Sequence, residues 1–364
     1  MIYKDFKGLK LSALGLGCMR LPTVEGQDGL IDEERTARMV AYALEQGINY
    51  FDTAWGYHSG NSELVMGRVL SKYPRESYYL ASKFPGFATE NMEKVPEIFE
   101  RQLEKCQTPY FDFYLFHSVT EQNIDFYTDP RYGLYDYLME QKKAGRIRHL
   151  GFSTHGSLAT IQRFLDTYGR DLEFCQIQLN WLDWDLQNAK AKVEMLRSYG
   201  IPIWVMEPVR GGALASLPEK DMAKLEALRP GVTAPEWAFR FLQSIEGVTM
   251  TLSGMSNQQQ LEDNIATYRT EKPLNETEWN TIQEIAREKI AANAVPCTAC
   301  RYCVPRCPQG LDIPGIIKAY NEKAPYTEIP GPADCVGCGN CQLVCPQCIL
   351  IPQVMEDYAR RLNG

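Results

Sequence analysis

The sequence has 364 residues, of which 45% are hydrophobic and 23% are charged, a composition typical of globular proteins and unlike that of fibrous or disordered chains. The formal charge is −8, so no overall positive field is present to attract nucleic acid or anionic lipid. The first residues lack a continuous apolar segment, and no run of about 18 uncharged apolar residues occurs. We therefore expect a cytoplasmic protein with neither a nucleic-acid nor a membrane partner.

Up to about residue 290, short β-branched or aromatic runs alternate with amphipathic stretches of helical length, a pattern typical of parallel strands covered by helices. The first predicted helix, 32–47, has an N-cap candidate in Asp32, an acidic first turn and a terminal Gly47. Eight strand–helix pairs within roughly 280 residues predict a closed (β/α)8 TIM barrel over 1–290 rather than an open doubly wound sheet. The predicted strands are 13–19, 50–54, 78–83, 111–116, 149–153, 175–179, 203–206 and 249–253.

Four polar residues lie where predicted strands end, which is the catalytic rim of such barrels. Asp52 ends the second strand, Tyr57 follows it, Lys83 ends the third strand and His117 ends the fourth. A phenol donates a proton poorly at neutral pH unless a nearby cation stabilises the phenolate, and a lysine paired with an aspartate supplies that cation. Each residue alone also fits a solvated rim position, but the four together predict a catalytic site in which His117 orients a carbonyl oxygen.

Three stretches, 51–67, 81–83 and 111–117, resemble signatures of the aldo/keto reductase family. The resemblance covers roughly residues 5–290 and implies an oxidoreductase that interconverts a carbonyl and an alcohol, with a nicotinamide cofactor extended across the barrel mouth. It also implies that Tyr57 is the general acid, that Lys83 and Asp52 lower its pKa, and that His117 positions the substrate carbonyl.

The same resemblance suggests where the cofactor lies. Ser153, Gln178 and Asn180 match the carboxamide side, and the stretch 206–212 with Arg210 matches segments near the carboxamide and pyrophosphate. Many members carry Lys and Arg at two positions of the adenosine end where this chain has neutral residues, which weakens the preference for NADP over NAD and leaves that choice open. The adenosine-end candidates are Ser253, Gly254, Ser256, Gln260, Asp263 and Asn264, with Gly254 and Gln260 at those two positions.

Nine of the twelve cysteines lie in 296–364, where two runs match the bacterial [4Fe–4S] pattern C-x2-C-x2-C-x3-C-P. Zinc needs only four ligands and does not explain the third cysteine and the Cys-Pro ending of both runs. We expect two [4Fe–4S] clusters in a small, mostly α-helical domain over 291–364, with a helix at 312–321. In two-cluster ferredoxins the fourth cysteine of each run binds the other cluster. The expected ligand sets are Cys297, Cys300, Cys303 and Cys345, and Cys335, Cys338, Cys341 and Cys307, leaving Cys18, Cys106, Cys175 and Cys348 as spare thiols.

The two halves pose an electron-counting problem, because nicotinamide delivers a hydride whereas a cluster passes single electrons. A flavin could divide the electron pair, but no flavin motif is evident. A partner flavoprotein, a different cofactor in the barrel, and clusters without an electron-transfer role stay open. The sequence favours an NAD(P)-dependent oxidoreductase linked to electron transfer, acting on a small carbonyl or alcohol and meeting a redox partner protein. The alternatives are an electron-transfer subunit that uses the barrel as a binding platform, and an ordinary reductase with structural or sensory clusters.

Residues that could form an aromatic substrate wall are Trp55, Phe84, Trp181 and Trp184.

Overall fold

The computed structural model describes residues 1–25, 27, 29–292, 295–347 and 349–363. Within them, a hairpin of β1 (Tyr3–Phe6) and β2 (Leu9–Ser12) precedes eight parallel strands. The eight close into a barrel in the order β10-β3-β4-β5-β6-β7-β8-β9, which confirms the predicted (β/α)8 fold. The barrel strands are β3 (Leu14–Gly17), β4 (Tyr50–Asp52), β5 (Tyr79–Phe84), β6 (Phe111–Val119), β7 (Ile147–Thr154), β8 (Cys175–Gln178), β9 (Ile203–Met206) and β10 (Val248–Ser253).

Helices cover the outside of the barrel and form the C-terminal part of the chain. Those up to residue 291 are α1 (Glu33–Glu45), α2 (Asn61–Leu70), α3 (Val95–Lys105), α4 (Ile124–Thr128), α5 (Leu134–Lys143), α6 (Leu158–Tyr168), α7 (Asp183–Leu186), α8 (Ala189–Ser198), α9 (Glu219–Glu226), α10 (Ala234–Gln243), α11 (Gln258–Thr267) and α12 (Glu276–Ala291). The later ones are α13 (Ile313–Glu322), α14 (Asn340–Leu343) and α15 (Ile351–Asn363).

Local sequence accounts for the helix ends. The Asp32 side chain accepts a hydrogen bond from Arg35 N at 2.9 Å and caps α1, whose first turn carries two glutamates that favour the positive end of the helix dipole. The helix ends at Glu45, two residues before the predicted end, and Gly47 follows with a φ of +92°. The chain reversal there suits glycine, which adopts positive φ without a steric penalty.

The N-terminal hairpin, absent from the sequence prediction, closes the lower end of the barrel. Phe6 is buried, and its ring lies 5.6 Å from that of Phe113 and 5.1 Å from that of Trp204, inside the barrel. These rings belong to an inner apolar cluster that also includes Tyr50 and Phe174. The barrel interior is therefore a packed core, as in other TIM barrels, and leaves the upper rim for chemistry.

The C-terminal part has its own small core. Ile316 and Ile317 on α13 pack with Met355 on α15, and all three are buried. In the described part of 295–363 the regular elements are all helices, as predicted, and α13 begins one residue after the predicted start. No helix among the described residues is long and apolar enough to cross a membrane.

Candidate active site and cluster sites

The ends of β4, β5 and β6 bring the four predicted catalytic residues together. Lys83 Nζ donates to Asp52 Oδ1 at 2.6 Å and to Thr53 O at 2.8 Å, and it lies 3.3 Å from Tyr57 OH. The Tyr57 ring is 6.0 Å from the His117 ring in an edge-to-face arrangement. Lys83 and Asp52 are almost completely buried, so their charges interact with little screening by solvent.

Burial dominates the electrostatics of the proton donor. Burial raises the pKa of Tyr57 well above its ordinary value, and the charges of Asp52, Cys18 and Glu207 add to this rise. The family resemblance implies that Lys83 and Asp52 together lower the pKa of Tyr57, whereas in the structure this pKa is raised. The Asp52 carboxylate disfavours the phenolate, and the Lys83 ammonium is already paired with that carboxylate. The phenol is therefore protonated at neutral pH.

His117 is held as a neutral imidazole facing the same space. Burial lowers its pKa well below the ordinary value, and the charge of Lys83 adds to the effect. Its Nδ1 has no hydrogen-bond partner among the described residues, and neither has Asp52 Oδ2. The backbone carbonyl of His117 accepts from Tyr127 OH at 2.6 Å, which fixes the strand end.

A second buried ion pair, which the sequence analysis missed, lies behind Lys83. Lys105 Nζ donates to Glu63 Oε2 at 2.6 Å, and Ser82 Oγ donates to Glu63 Oε1 at 2.6 Å. Gln102 Nε2 donates to Glu63 Oε1 at 2.6 Å and to the Lys83 carbonyl at 3.0 Å. The network links α2 and α3 to β5 and fixes the backbone that carries Lys83. The sequence feature that could have revealed this ion pair is Glu63, which lies within the stretch 51–67 that resembles a family signature.

The carboxamide-side candidates lie at the ends of β7 and β8, but their polar atoms are largely engaged. Ser153 Oγ accepts from Ser118 N at 2.7 Å. Gln178 Nε2 and Asn180 Nδ2 both donate to Asp183 Oδ2 at 2.7 Å. Asp183 is completely buried and was not predicted as a site residue. It therefore organises this half of the barrel mouth.

Arg210, after β9, joins the same carboxylate. Its Nε lies 3.0 and 3.1 Å from the two oxygens of Asp183, and its Nη2 donates to Pro296 O at 3.2 Å. Nearby, Thr298 Oγ1 lies 3.5 Å from Glu207 Oε1. Burial raises the pKa of Glu207 to about 7, and the Asp183 charge adds to this rise. A carboxyl that titrates near neutrality thus lies between the barrel and the C-terminal part of the chain.

The adenosine-end candidates cluster at the end of β10 and the start of α11. Asn264 Nδ2 donates to Ser253 Oγ at 3.2 Å, and Ser256 N donates to Gln260 Oε1 at 2.8 Å. Asp263 is exposed and accepts from a glutamine on the same helix. Four of these residues therefore form two local pairs, while Asp263 lies apart from them.

Gly254 lies under a side chain that crosses the mouth. A Cβ built on Gly254 would approach Arg20 Cγ to 2.8 Å, and Ser256 Oγ donates to Arg20 O at 2.8 Å. Arg20 Nη2 in turn donates to Ala299 O at 2.7 Å. The position that in many family members holds a cation is thus covered by Arg20, which the sequence analysis did not select.

The predicted aromatic wall is only partly present. Trp184 packs against Trp279 and Phe241, at ring distances of 5.6 and 5.7 Å, in the helical layer. Trp181 and Phe84 are buried in the core, and the Trp55 ring covers Lys105 Nζ at 4.6 Å. Phe87, which is exposed, lies 5.3 Å from the His117 ring instead.

The eight motif cysteines line two cavities in the C-terminal part. Each cavity takes three cysteines from one run and the fourth cysteine from the other, and apolar side chains such as Ile313 and Ile351 complete both. Cys348 lies outside the described residues, while Cys18, Cys106 and Cys175 are buried in the barrel. One cavity is lined by Cys297, Cys300, Cys303 and Cys345, and the other by Cys307, Cys335, Cys338 and Cys341.

The chemistry of these donor sets fits iron–sulfur clusters. Burial raises the pKa of Cys300 to about 12, and the neighbouring Cys345 and Cys297 add to this rise. Burial also raises the pKa of Cys341, with Cys335 and Cys307 adding to it. Thiols such as Cys300 and Cys341, whose ionisation is disfavoured by burial and by neighbouring cysteines, need a cationic centre before they become thiolates, and a cluster supplies that centre.

Comparison with known proteins agrees with this geometry. A model of the aldo/keto reductase family matches residues 13–287, and a model of a 4Fe-4S dicluster domain matches residues 296–350. The chain belongs to the aldo/keto reductase family. This reductase therefore carries an oxidoreductase barrel followed by a 4Fe-4S dicluster domain.

Curated relatives share the barrel. A probable aldo-keto reductase from Glycine max is 28% identical over 217 residues, which are 57% of this chain and 58% of the relative. The match thus spans less than two thirds of that protein. An NADH-specific methylglyoxal reductase from Escherichia coli is 28% identical over 231 residues, covering 58% of this chain and 68% of the relative.

Solved structures give the same fold. An aldo-keto reductase from Bacillus halodurans in its holo form superposes with a TM-score of 0.63 at 26% identity, over 78% of this chain and 96% of that one. A Klebsiella pneumoniae aldo-keto reductase in complex with NADPH has a TM-score of 0.62 at 18% identity, over 79% of this chain and 96% of that one, and supports the fold alone.

Proposed function

We propose that the protein interconverts a small carbonyl compound and the corresponding alcohol in an NAD(P)-dependent reaction at the barrel mouth, and that two [4Fe–4S] clusters link this site to electron transfer. The observation that carries the proposal is the position of Lys83 Nζ, 2.6 Å from Asp52 Oδ1 and 3.3 Å from Tyr57 OH. This places a buried cation beside a protonated phenol, the arrangement that a carbonyl-protonating acid needs.

The chain's own residues divide the proton chemistry between them. Tyr57 donates its proton to the carbonyl oxygen during reduction and takes it back during oxidation. Lys83 stabilises the phenolate that remains, and Asp52 keeps the ammonium in place through the 2.6 Å contact. Neutral His117 donates an N–H to the same carbonyl oxygen, which fixes the substrate and polarises its C=O bond.

The cofactors would be held by the residues described above. When bound, NAD(P)H supplies a hydride and the clusters supply single electrons. The residue types at the mouth, namely amides, hydroxyls and an arginine, fit a dinucleotide chemically. Ser153, Gln178, Asn180 and Arg210 would hold its nicotinamide half, while Ser253, Gly254, Ser256, Gln260, Asp263 and Asn264 would lie along its adenosine half. Nicotinamide and flavin assays of the anaerobically purified protein distinguish NADP from NAD and detect any flavin.

We place the domain boundary at 290/291, close to the end of α12 at Ala291. The exchange partner of the clusters would be a one-electron redox protein. A reducing compartment such as the cytoplasm suits a chain with eight cysteines in two cluster-binding runs.

The substitution Tyr57→Phe tests the function directly. Removing the phenolic proton should lower kcat about 10³-fold, because general acid catalysis contributes roughly 10²–10⁴-fold, while cluster absorption stays unchanged. Turnover would be measured anaerobically with a panel of carbonyls, after iron, acid-labile sulfide, flavin and nicotinamide assays. Tyr78→Phe, at a buried tyrosine packed against Phe51 on the outer side of the barrel wall, is the matched control. Full turnover by Tyr57→Phe would refute the assignment.

Cysteine substitutions test the cluster assignment. Cys345→Ser should disturb the same cluster as Cys303→Ser, although 42 residues separate them, because both line one cavity. Cys307→Ser should instead resemble Cys341→Ser. Electron paramagnetic resonance of the reduced protein and iron content are the readouts. If Cys345→Ser instead produced the spectrum of Cys341→Ser, the crossed sets would be wrong.

One observation favours a second candidate, an electron-transfer subunit that uses the barrel as a binding platform. Gln178 donates to Gln347 Oε1 at 3.2 Å, so a residue expected to hold the cofactor binds the C-terminal domain instead. Reduction by one-electron donors together with a failure to bind nicotinamide under all conditions would favour this candidate.

A further inference from the structure

We infer that the C-terminal domain and a nicotinamide dinucleotide compete for the same residues at the barrel mouth, so that the barrel takes up NAD(P) only when that domain moves away. The inference rests on the proposed function, since it concerns the same site, and it adds a control of cofactor entry by domain docking. Three sets of contacts carry it, one for each part of the dinucleotide.

On the carboxamide side, both the nitrogen and the oxygen of the Gln178 side-chain amide form hydrogen bonds with Gln347. Its Nε2 donates to Asp183 Oδ2 at 2.7 Å and Gln347 Oε1 at 3.2 Å, and its Oε1 accepts from Gln347 Nε2 at 2.7 Å. Gln347 is itself 8% exposed and also accepts from Gln187. This reciprocal amide pair occupies both N–H donors of Gln178 and one of the two lone pairs of its oxygen, so Gln178 has no free donor for the carboxamide of a nicotinamide.

On the pyrophosphate side, backbone of the C-terminal domain lies directly on the loop after β9. Arg210 Nη2 donates to Pro296 O at 3.2 Å, and a Cβ built on Gly211 would lie 1.8 Å from Thr298 O. Only a residue without a side chain allows this approach. A diphosphate cannot lie between two backbones that are already in contact.

On the adenosine side, Arg20 joins the two parts of the chain. It packs over Gly254, and its Nη2 donates to Ala299 O at 2.7 Å. Tyr302, the residue directly before Cys303, extends from the same segment to Met19, with its OH 3.9 Å from Met19 Sδ. The segment 296–302 thus crosses the mouth from the β9 loop to the β3 loop, along the course expected for the dinucleotide.

The consequence is quantitative. If the barrel can bind NAD(P) only when undocked, the apparent dissociation constant equals the intrinsic constant divided by the undocked fraction. A substitution that removes docking contacts but leaves every candidate cofactor residue unsubstituted should therefore tighten NAD(P) binding. Each lost hydrogen bond is expected to change the undocked fraction by about tenfold or less.

The experiment measures NADPH and NADH binding to the full-length, cluster-loaded protein by anaerobic titration calorimetry. Arg20→Ala removes the bond to Ala299 O, and Gln347→Ala removes the amide pair. Both should bind NADPH or NADH about tenfold more tightly than the unsubstituted protein. Iron content and electron paramagnetic resonance establish that the clusters are intact, which matters most for Gln347 because it lies close to Cys345.

Arg20→Ala separates competition from simple electrostatics, because the loss of a cation near a polyanion should weaken binding if nothing competes. Arg269→Ala has the same charge change at a residue whose Nη2 bonds Gln46, within the barrel domain. Gln353→Ala has the same side-chain change at an exposed position of α15. Neither control should alter the affinity.

Tighter binding by both docking variants, with unchanged controls, supports the inference. Equal affinities in all proteins, weaker binding by Arg20→Ala, or no binding by any protein would each overturn it, and the last result would favour the platform candidate. These readouts need no substrate. Failure of the competition is therefore distinguishable from failure of the proposed carbonyl chemistry, which Tyr57→Phe tests through turnover.

Discussion

The two halves of the barrel mouth use similar polar side chains in opposite ways. The half at β4–β6 leaves Asp52 Oδ2 and His117 Nδ1 without hydrogen-bond partners among the described residues. In the half at β8 and β9, Gln178 Nε2, Asn180 Nδ2 and Arg210 Nε all donate to Asp183. An unpaired buried polar atom is costly, so the open atoms of the first half suit a ligand. The second half is held mainly by its own hydrogen bonds to Asp183, although Glu207 Oε2 also lacks a partner among the described residues.

The largest effect should come from breaking the first half. Lys83→Met should lower kcat about 10³-fold, since the phenolate of Tyr57 then loses its cation. Lys105→Met is the matched control, because Lys105 is also a buried lysine paired to a carboxylate, at 2.6 Å from Glu63. Both variants should be less stable, so kcat is calculated per folded molecule to separate a loss of catalysis from a loss of folded protein. Equal losses of kcat would mean that the tetrad has no special role.

A substitution in the second half should act on stability. Asp183→Asn removes the charge that pairs with the nearly buried Arg210, so the free energy of unfolding should fall by about 3 kcal/mol. Denaturant unfolding monitored by circular dichroism measures it. Asp185→Asn, at an exposed position of the same short helix α7, is the control and should change stability by less than about 0.5 kcal/mol. A loss no larger than that of the control would remove the distinction between the halves.

The smallest expected effect is the pH dependence of the tetrad. The pKa of Tyr57 is raised and that of His117 is lowered, so the phenol stays protonated and the imidazole stays neutral across about pH 6.5–9. The tetrad should therefore give a flat profile of kcat in that range. Glu207, with a pKa raised to about 7, does titrate there. Any break in the kcat profile near pH 7 is therefore assigned to Glu207 and should disappear in Glu207→Gln. A break that persists in this variant would contradict the protonation states assigned to Tyr57 and His117.

Local sequence signals account for much of the fold. The eight strand–helix pairs were predictable because each has its own periodicity, and the cysteine runs because their spacing is distinctive. The strand ends were harder to predict. The first barrel strand is Leu14–Gly17 and not 13–19, because Cys18–Arg20 form a 3-10 turn. The hairpin β1–β2 was missed because its strands are partly polar and only four residues long, which is too short for their pattern to stand out.

The residues that join the domains could not be predicted in this way. Gln178 and Gln347 are 169 positions apart, and a hydrogen bond between such distant amides leaves no local pattern. Asp183 reads as an ordinary acidic residue at the start of a short helix, and only the structure places it among three donors. For the tetrad, sequence predicted which residues would converge, while the direction of the Tyr57 pKa shift depended on burial, which only the folded chain reveals.

The hairpin that seals the lower end of the barrel also limits the route by which a substrate arrives. Phe6 packs against Trp204 at the lower end, and the segment 296–302 lies over the β9 side of the upper end, so both features are away from the loop after β5. The exposed ring of Phe87, in that loop, stands beside His117. Under the proposed function, a substrate that enters beside Phe87 would be selected by its shape and apolar character.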